Sequence, residues 1–253
     1  MQSGQIGGAF TRDISMGGMC AWRLPSDERC ASVARSLVRG GAGPLGLERD
    51  IVEDAVLAAS ELVTNALNHG LRSLGGAAPV PPELWVWARA TPKPQLVVSV
   101  FDACRVFQPD TAPKSELDEH GKGLGIVSVL ADSWGAHLSR SWAENAVQGK
   151  VVWCTFALPQ PWPRRPIAAP PMATAGHLAS TLRSRGLNVV EGYGRRVAVV
   201  SALVEARREL NVWIEPGHLS YNAGATRVRR PIVDLYDTAE DIVRWSEAAR
   251  PQG

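Results

Sequence analysis

The sequence predicts an α/β fold: a two-layer α/β sandwich in which helices cover one face of a sheet of mostly antiparallel strands, followed by a smaller α+β domain. Three observations predict it. Val52, Val56, Ala59, Val63 and Ala66 recur at steps of four, three, four and three, the spacing of one buried helical face. Glu83 to Ala90 and Gln95 to Phe101 read as strands joined by a turn at Thr91 to Pro94, in the manner of a hairpin. Residues 159–173 are rich in proline and carry two arginines, the composition of a linker.

Taken in order, residues 1–18 are rich in Gly and Ser and are expected to be flexible. Cys20 to Leu24 suits a short strand. Pro25, Ser26 and Asp27 offer a turn and an N-cap for a helix from Asp27 to about Arg39, and Gly40 to Gly46 breaks it. The long helix runs from about Glu48 to His69, with Gly70 to end it. Ser73 to Pro82 is a Gly/Pro loop before the hairpin. Residues 103–120 form a polar, irregular stretch, too long for an idle connection. Gly123 to Asp132 reads as a helix, and strands at about Gly135 to Trp142 and Lys150 to Leu158 complete a unit over residues 19–158. In the second unit, 174–253, a helix is expected over Thr174 to Arg185. Strands are expected at Leu187 to Val190, Arg195 to Leu203 and Leu210 to Glu215. A last helix spans Asp237 to Ala248, with Asp237 and Thr238 as cap candidates.

Composition narrows the class. The chain has 253 residues, 45% hydrophobic and 21% charged, room for one large domain or two small ones. Its 27 basic and 25 acidic side chains nearly cancel, so no global field draws it to nucleic acid or to an anionic membrane. No apolar run approaches the roughly 18 residues that span a bilayer, and Met1 to Met19 lacks the features of a signal peptide; a cytoplasmic location is expected. Cys20, Cys30, Cys104 and Cys154 lack zinc-type spacing and are read as free buried thiols.

Three short segments could carry chemistry. Glu61 and Asn65 sit four apart on the long helix, facing away from its apolar stripe, and Asn68 and His69 continue that face. An acid and an amide so placed could hold a hydrated magnesium ion and a nucleophile; a solvated face would look the same. Asp102 ends a strand, where its carboxylate could accept from an exocyclic amine such as that of adenine, or simply start a turn. Gly121, Lys122, Gly123, Leu124 and Gly125 stand directly before an apolar helix. Glycines let the backbone approach a phosphate, and the helix start offers free N–H groups. The spacing is neither the Walker nor the dinucleotide pattern, and a hinge is the plainer use of such glycines.

Together and in this order the segments are specific. SELVTNALNHG at 60–70, LVVSVFDA at 96–103 and GKGLGIVSVLADSWG at 121–135 resemble the N box and the two glycine boxes of the GHKL (histidine-kinase-like, Bergerat-fold) ATPases. The likeness is greatest to bacterial anti-sigma-factor serine/threonine kinases and related ATP-binding regulators. It covers about residues 19–158, including WRLPSDERCASVARSLVR at 22–39. The resemblance implies ATP and Mg as cofactors, with Glu61 as general base and Asn65 as magnesium ligand. Asn68, His69, Asp102, Gly121, Lys122, Gly123, Leu124 and Gly125 are then nucleotide-binding positions, Asp102 as the adenine reader and the glycines at the phosphate end of a lid. It further implies transfer of phosphate to a Ser or Thr of a partner: a sigma factor, an anti-sigma antagonist or another transcription regulator. Two positions depart from the family pattern. Cys104 replaces a glycine and would crowd the adenine pocket or reshape the lid. Val151 stands near the place of a threonine that supports adenine binding.

The second unit resembles nothing recognised. Its 11 Arg against nine Asp and Glu, with no Lys, read as a solvated surface rather than a nucleic-acid patch, and Trp213 and Trp245 as core. It is expected to be a small interaction or dimerisation module, able to form a homodimer. An enzyme that phosphorylates its partner and a module that sequesters it without catalysis are both consistent with the sequence.

Overall fold

The computed structural model describes residues 13–70, 80–105, 122–143, 146–164, 167–205 and 208–248. The expected loop at 73–82 falls almost wholly outside these residues, as do 106–120 of the polar stretch and Gly121. Asp13 caps a 3₁₀ turn over Ile14–Met16, with Ile14 buried.

Five strands form the first sheet: β1 (Met19–Arg23), β2 (Glu83–Arg89), β3 (Gln95–Asp102), β4 (Ser133–Arg140) and β5 (Gln148–Ala157). They lie in the order β1-β2-β3-β5-β4, with every neighbouring pair antiparallel. Strand alternation divides the side chains. Leu84, Val86, Leu96, Val98, Val100, Val152 and Cys154 face one layer, formed by α1 (Arg29–Ala42), α2 (Arg49–Gly70) and α3 (Lys122–Leu130). The stripe from Val56 to Ala66 is buried in that core, while Val52 packs at its edge. Helix α1 does not stop at Gly40 but continues to Ala42. Gly41 lies against Ile14 and Trp22, where a Cβ would stand 3.4 Å from Ile14 Cδ1. The four cysteines are buried.

The opposite face of this sheet is covered as well. Trp85, Trp87, Val97, Phe101 and Val151 share a core with α4 (Pro171–Ser184), α5 (Leu235–Ala248) and a second sheet. That sheet holds β6 (Val189–Tyr193), β7 (Ala198–Glu205), β8 (Arg208–Glu215), β9 (His218–Ala223) and β10 (Thr226–Pro231), in the order β10-β9-β8-β7-β6. The last two strands are absent from the sequence expectation because their outward residues, among them Asn222, Arg227 and Arg229, are polar and mask the alternation. Asp237 and Thr238 do not cap α5. They lie inside it, where Asp237 accepts from Trp87 Nε1 at 2.8 Å and Thr238 Oγ1 donates to the Asp234 carbonyl. Trp213 is not core: it is half exposed on the outer face of β8, while Trp245 packs against Tyr221.

Polar contacts tie the layers together. Arg185, fully buried, lies 4.8 Å from the ring centres of both Trp85 and Trp142 and pairs with Glu240. Burial works to raise the Glu240 carboxyl, but Arg185 and hydrogen bonds from His137 and Ser139 outweigh it and hold the group down at about 2. Glu247 of α5 accepts from Arg140 Nε at 2.6 Å and pairs with Arg105, three residues beyond Asp102. The second unit thus reaches the segment that leaves β3.

Candidate functional site

Glu61 and Asn65 project from α2 on the side away from its buried stripe, and both are half-buried. What half-buries them is the start of α3. A Cβ added to Gly123 would stand 2.9 Å from Glu61 Oε2 and 3.2 Å from Asn65 Nδ2. A side chain at this position would push the ends of Glu61 and Asn65 aside. The fold therefore gathers a carboxylate, an amide and the N-terminal turn of a helix in one place. The helix N-terminus carries partial positive charge and free N–H groups. Among the described residues no group of three or more His, Cys, Asp and Glu could hold a metal. A magnesium ion here would rest on few protein ligands and keep much of its water, its usual habit beside phosphates.

The other sequence-predicted positions divide. Asn68 is exposed, one turn beyond Asn65. His69 belongs to α2 and Lys122 opens α3; their side chains lie outside the description, as does Gly121 entirely. Leu124 packs against the helical core. Gly125 faces open space, with nothing within 4 Å of an added Cβ.

At the end of β3, Asp102 shares the face of Val100 and Val98 toward the helices. Its neighbour across the sheet is Lys150. Lys150 Nζ donates to Asp102 Oδ1 at 2.7 Å and to the Cys104 carbonyl at 3.0 Å, and Cys104 N donates to the same Oδ1 at 2.9 Å. Asp102 and Lys150 are 4% and 3% exposed. Lys150 was not among the expected site residues. The sequence carried no signal for it, because only the register of β3 against β5 pairs Asp102 with Lys150 and not with Val151. Val151, the departure singled out in sequence, faces the second unit's core instead. Cys104 is buried, with both its backbone groups committed to this cluster.

A model of the histidine kinase-like ATPase domain matches residues 24–155, more than half of the chain. The chain belongs to the histidine kinase-like ATPase family. Among curated proteins none matches it. A histidine kinase-like ATPase domain implies ATP binding, with magnesium its usual companion, and the residues present can be tested against that ligand. At the expected phosphate end, the Glu61 carboxylate and the Asn65 amide stand at the glycine-opened start of α3, groups that suit a hydrated magnesium ion and a phosphate. At Asp102, the position expected to read the base, the carboxylate already holds the Lys150 ammonium. No described helix is long and apolar enough to cross a membrane.

Proposed function

We propose that this protein is a cytoplasmic, ATP-binding regulatory serine/threonine protein kinase of anti-sigma-factor type. It transfers the γ-phosphate of ATP to a partner regulator, whether a sigma factor, an anti-sigma antagonist or another transcription regulator. The observation that carries the reading is the convergence of Glu61 and Asn65 on Gly123. Magnesium-bound ATP supplies the phosphoryl group. Asn65 would hold the metal, and the N–H groups opening α3 would meet the phosphate charge. Glu61 takes the proton from the partner's attacking hydroxyl. Phosphoryl transfer depends mainly on such positioning and electrostatics, which a rigid α2–α3 contact provides. The second unit, packed on the far face of the sheet, is the candidate surface for the partner or for a second copy of the chain.

A second reading has a specific observation in its favour. Asp102 is already ion-paired with Lys150, and an ATP-sensing module could sequester its partner without transferring phosphate. Incubating the full chain and its Glu61→Ala variant with γ-labelled ATP and a candidate partner separates the two. Label on a partner Ser or Thr with the wild type alone supports the kinase. Partner binding that responds to ATP without label supports the module.

A further inference from the structure

We propose that Lys150 sets the nucleotide affinity of this site, by competing with the base for Asp102. The inference rests on the nucleotide-binding reading above and assigns a residue that reading does not use. Asp102, Lys150 and the backbone of Cys104 form a closed ring: the ammonium bonds the carboxylate and the Cys104 carbonyl, and the Cys104 amide bonds the same carboxylate oxygen. All three residues are buried.

The register makes this arrangement hard to avoid. Lys150 stands directly across from Asp102. Gly149 beside it lets β5 pass so close that a Cβ there would collide with the Asp102 carbonyl oxygen and the Phe101 ring. On the exit side, Arg105 is held by Glu247, which Arg140 fixes in turn. The segment from Asp102 to Arg105 is thus held at both ends, by β5 and by α5.

An adenine amine is a neutral donor. The ammonium is a charged one, so its bond to the carboxylate adds attraction between opposite charges to a hydrogen bond that either donor could make. A base that uses Asp102 must share or displace Lys150, or shift Cys104, and leaving the ammonium buried without its counter-ion is costly. The protein competent for the base is then a minor fraction, and the apparent affinity falls by that fraction. One charged hydrogen bond corresponds to roughly ten- to a hundredfold in affinity. Lys150 is therefore a brake on binding: removing its charge should strengthen it.

The test is calorimetric titration of the full-length wild type, Lys150→Thr and Lys150→Met with a non-hydrolysable ATP analogue and magnesium. Both variants are expected to bind roughly ten- to a hundredfold tighter than wild type. The gain should vanish when Asp102→Ala is added to Lys150→Met. A gain in affinity cannot come from a misfolded chain. Should Lys150→Met fail to fold, Lys150→Gln, which keeps a donor without the charge, gives the same comparison. Binding by the wild type that the variants equal or fall below overturns the role of Lys150 and leaves nucleotide binding standing. Absence of binding in every folded protein overturns both.

Discussion

Replacing Gly123 by Ala separates the stability of this fold from its function. In a helix the change removes the conformational cost of glycine, about 0.5–1 kcal/mol in favour of Ala. The new methyl would stand 2.9 Å from Glu61 Oε2 and 3.2 and 3.4 Å from the Asn65 amide atoms. Comfortable contact begins near 3.5 Å, so the Glu61 carboxylate must retreat by about 0.5 Å or more. Both neighbours are the ends of flexible side chains, so the strain is relieved by rotation. Denaturant unfolding should therefore show Gly123→Ala as stable as the wild type or up to about 1 kcal/mol more stable. Magnesium-dependent binding of an ATP analogue should nevertheless fall by about tenfold or more, because the same methyl displaces the Asn65 amide proposed to hold the metal, and one interaction with a charged group corresponds to about tenfold or more in affinity. Gly125→Ala, with open space around its added methyl, is the matched stability control. Unchanged magnesium-dependent binding by Gly123→Ala would refute the claim that this contact places Asn65 for the metal. A stability loss beyond about 2 kcal/mol would refute the relief by rotation.

Other substitutions probe the remaining parts. Glu61→Ala should keep nucleotide binding and lose phosphate transfer, because a general base acts on the nucleophile; transfer of label at the normal rate would remove Glu61 from that role. Asp102→Ala should destabilise the chain by about 3–5 kcal/mol in urea unfolding, because it strands a buried ammonium, whereas Lys150→Met with Asp102→Ala should recover much of that loss. His177, buried beside the Tyr236 hydroxyl at 3.0 Å, has its pKa lowered from 6.5 to about 4 by burial. Its folded pKa is below its unfolded one, so the unfolded chain binds the extra proton and stability falls as pH drops from about 6.5 toward 4. Between pH 6.5 and 5 the loss from this group is about 1.5 kcal/mol. Unfolding measured at both pH values should show that much less dependence in His177→Gln.

Much of the first unit was legible because burial there follows simple periods. The α2 stripe and the alternation of β2 and β3 sort residues into faces without reference to partners, and the order of the three motifs was specific enough to anticipate the fold. The Glu61–Asn65 pairing was equally readable, since four residues make one helical turn. Its closure by Gly123 was not, because that contact depends on how two helices pack. Lys150 was missed for a different reason. A lysine at the head of an apolar strand reads as a solvated end, and only the register with β3 turns it toward Asp102. One position of register separates it from Val151, and one position is enough to change faces. The second unit was harder still: polar outward residues hide β9 and β10, and Asp237 resembled a cap until Trp87 and Arg89 of the other sheet were placed beside it.

The central claim is that α2 and α3 together build a magnesium–nucleotide site, and titrating an ATP analogue into the full chain with and without magnesium tests it most directly. The account predicts binding that magnesium strengthens, and a magnesium effect that disappears in Asn65→Ala while the folded state persists. Binding indifferent to magnesium, or a magnesium effect that survives in Asn65→Ala, would contradict it.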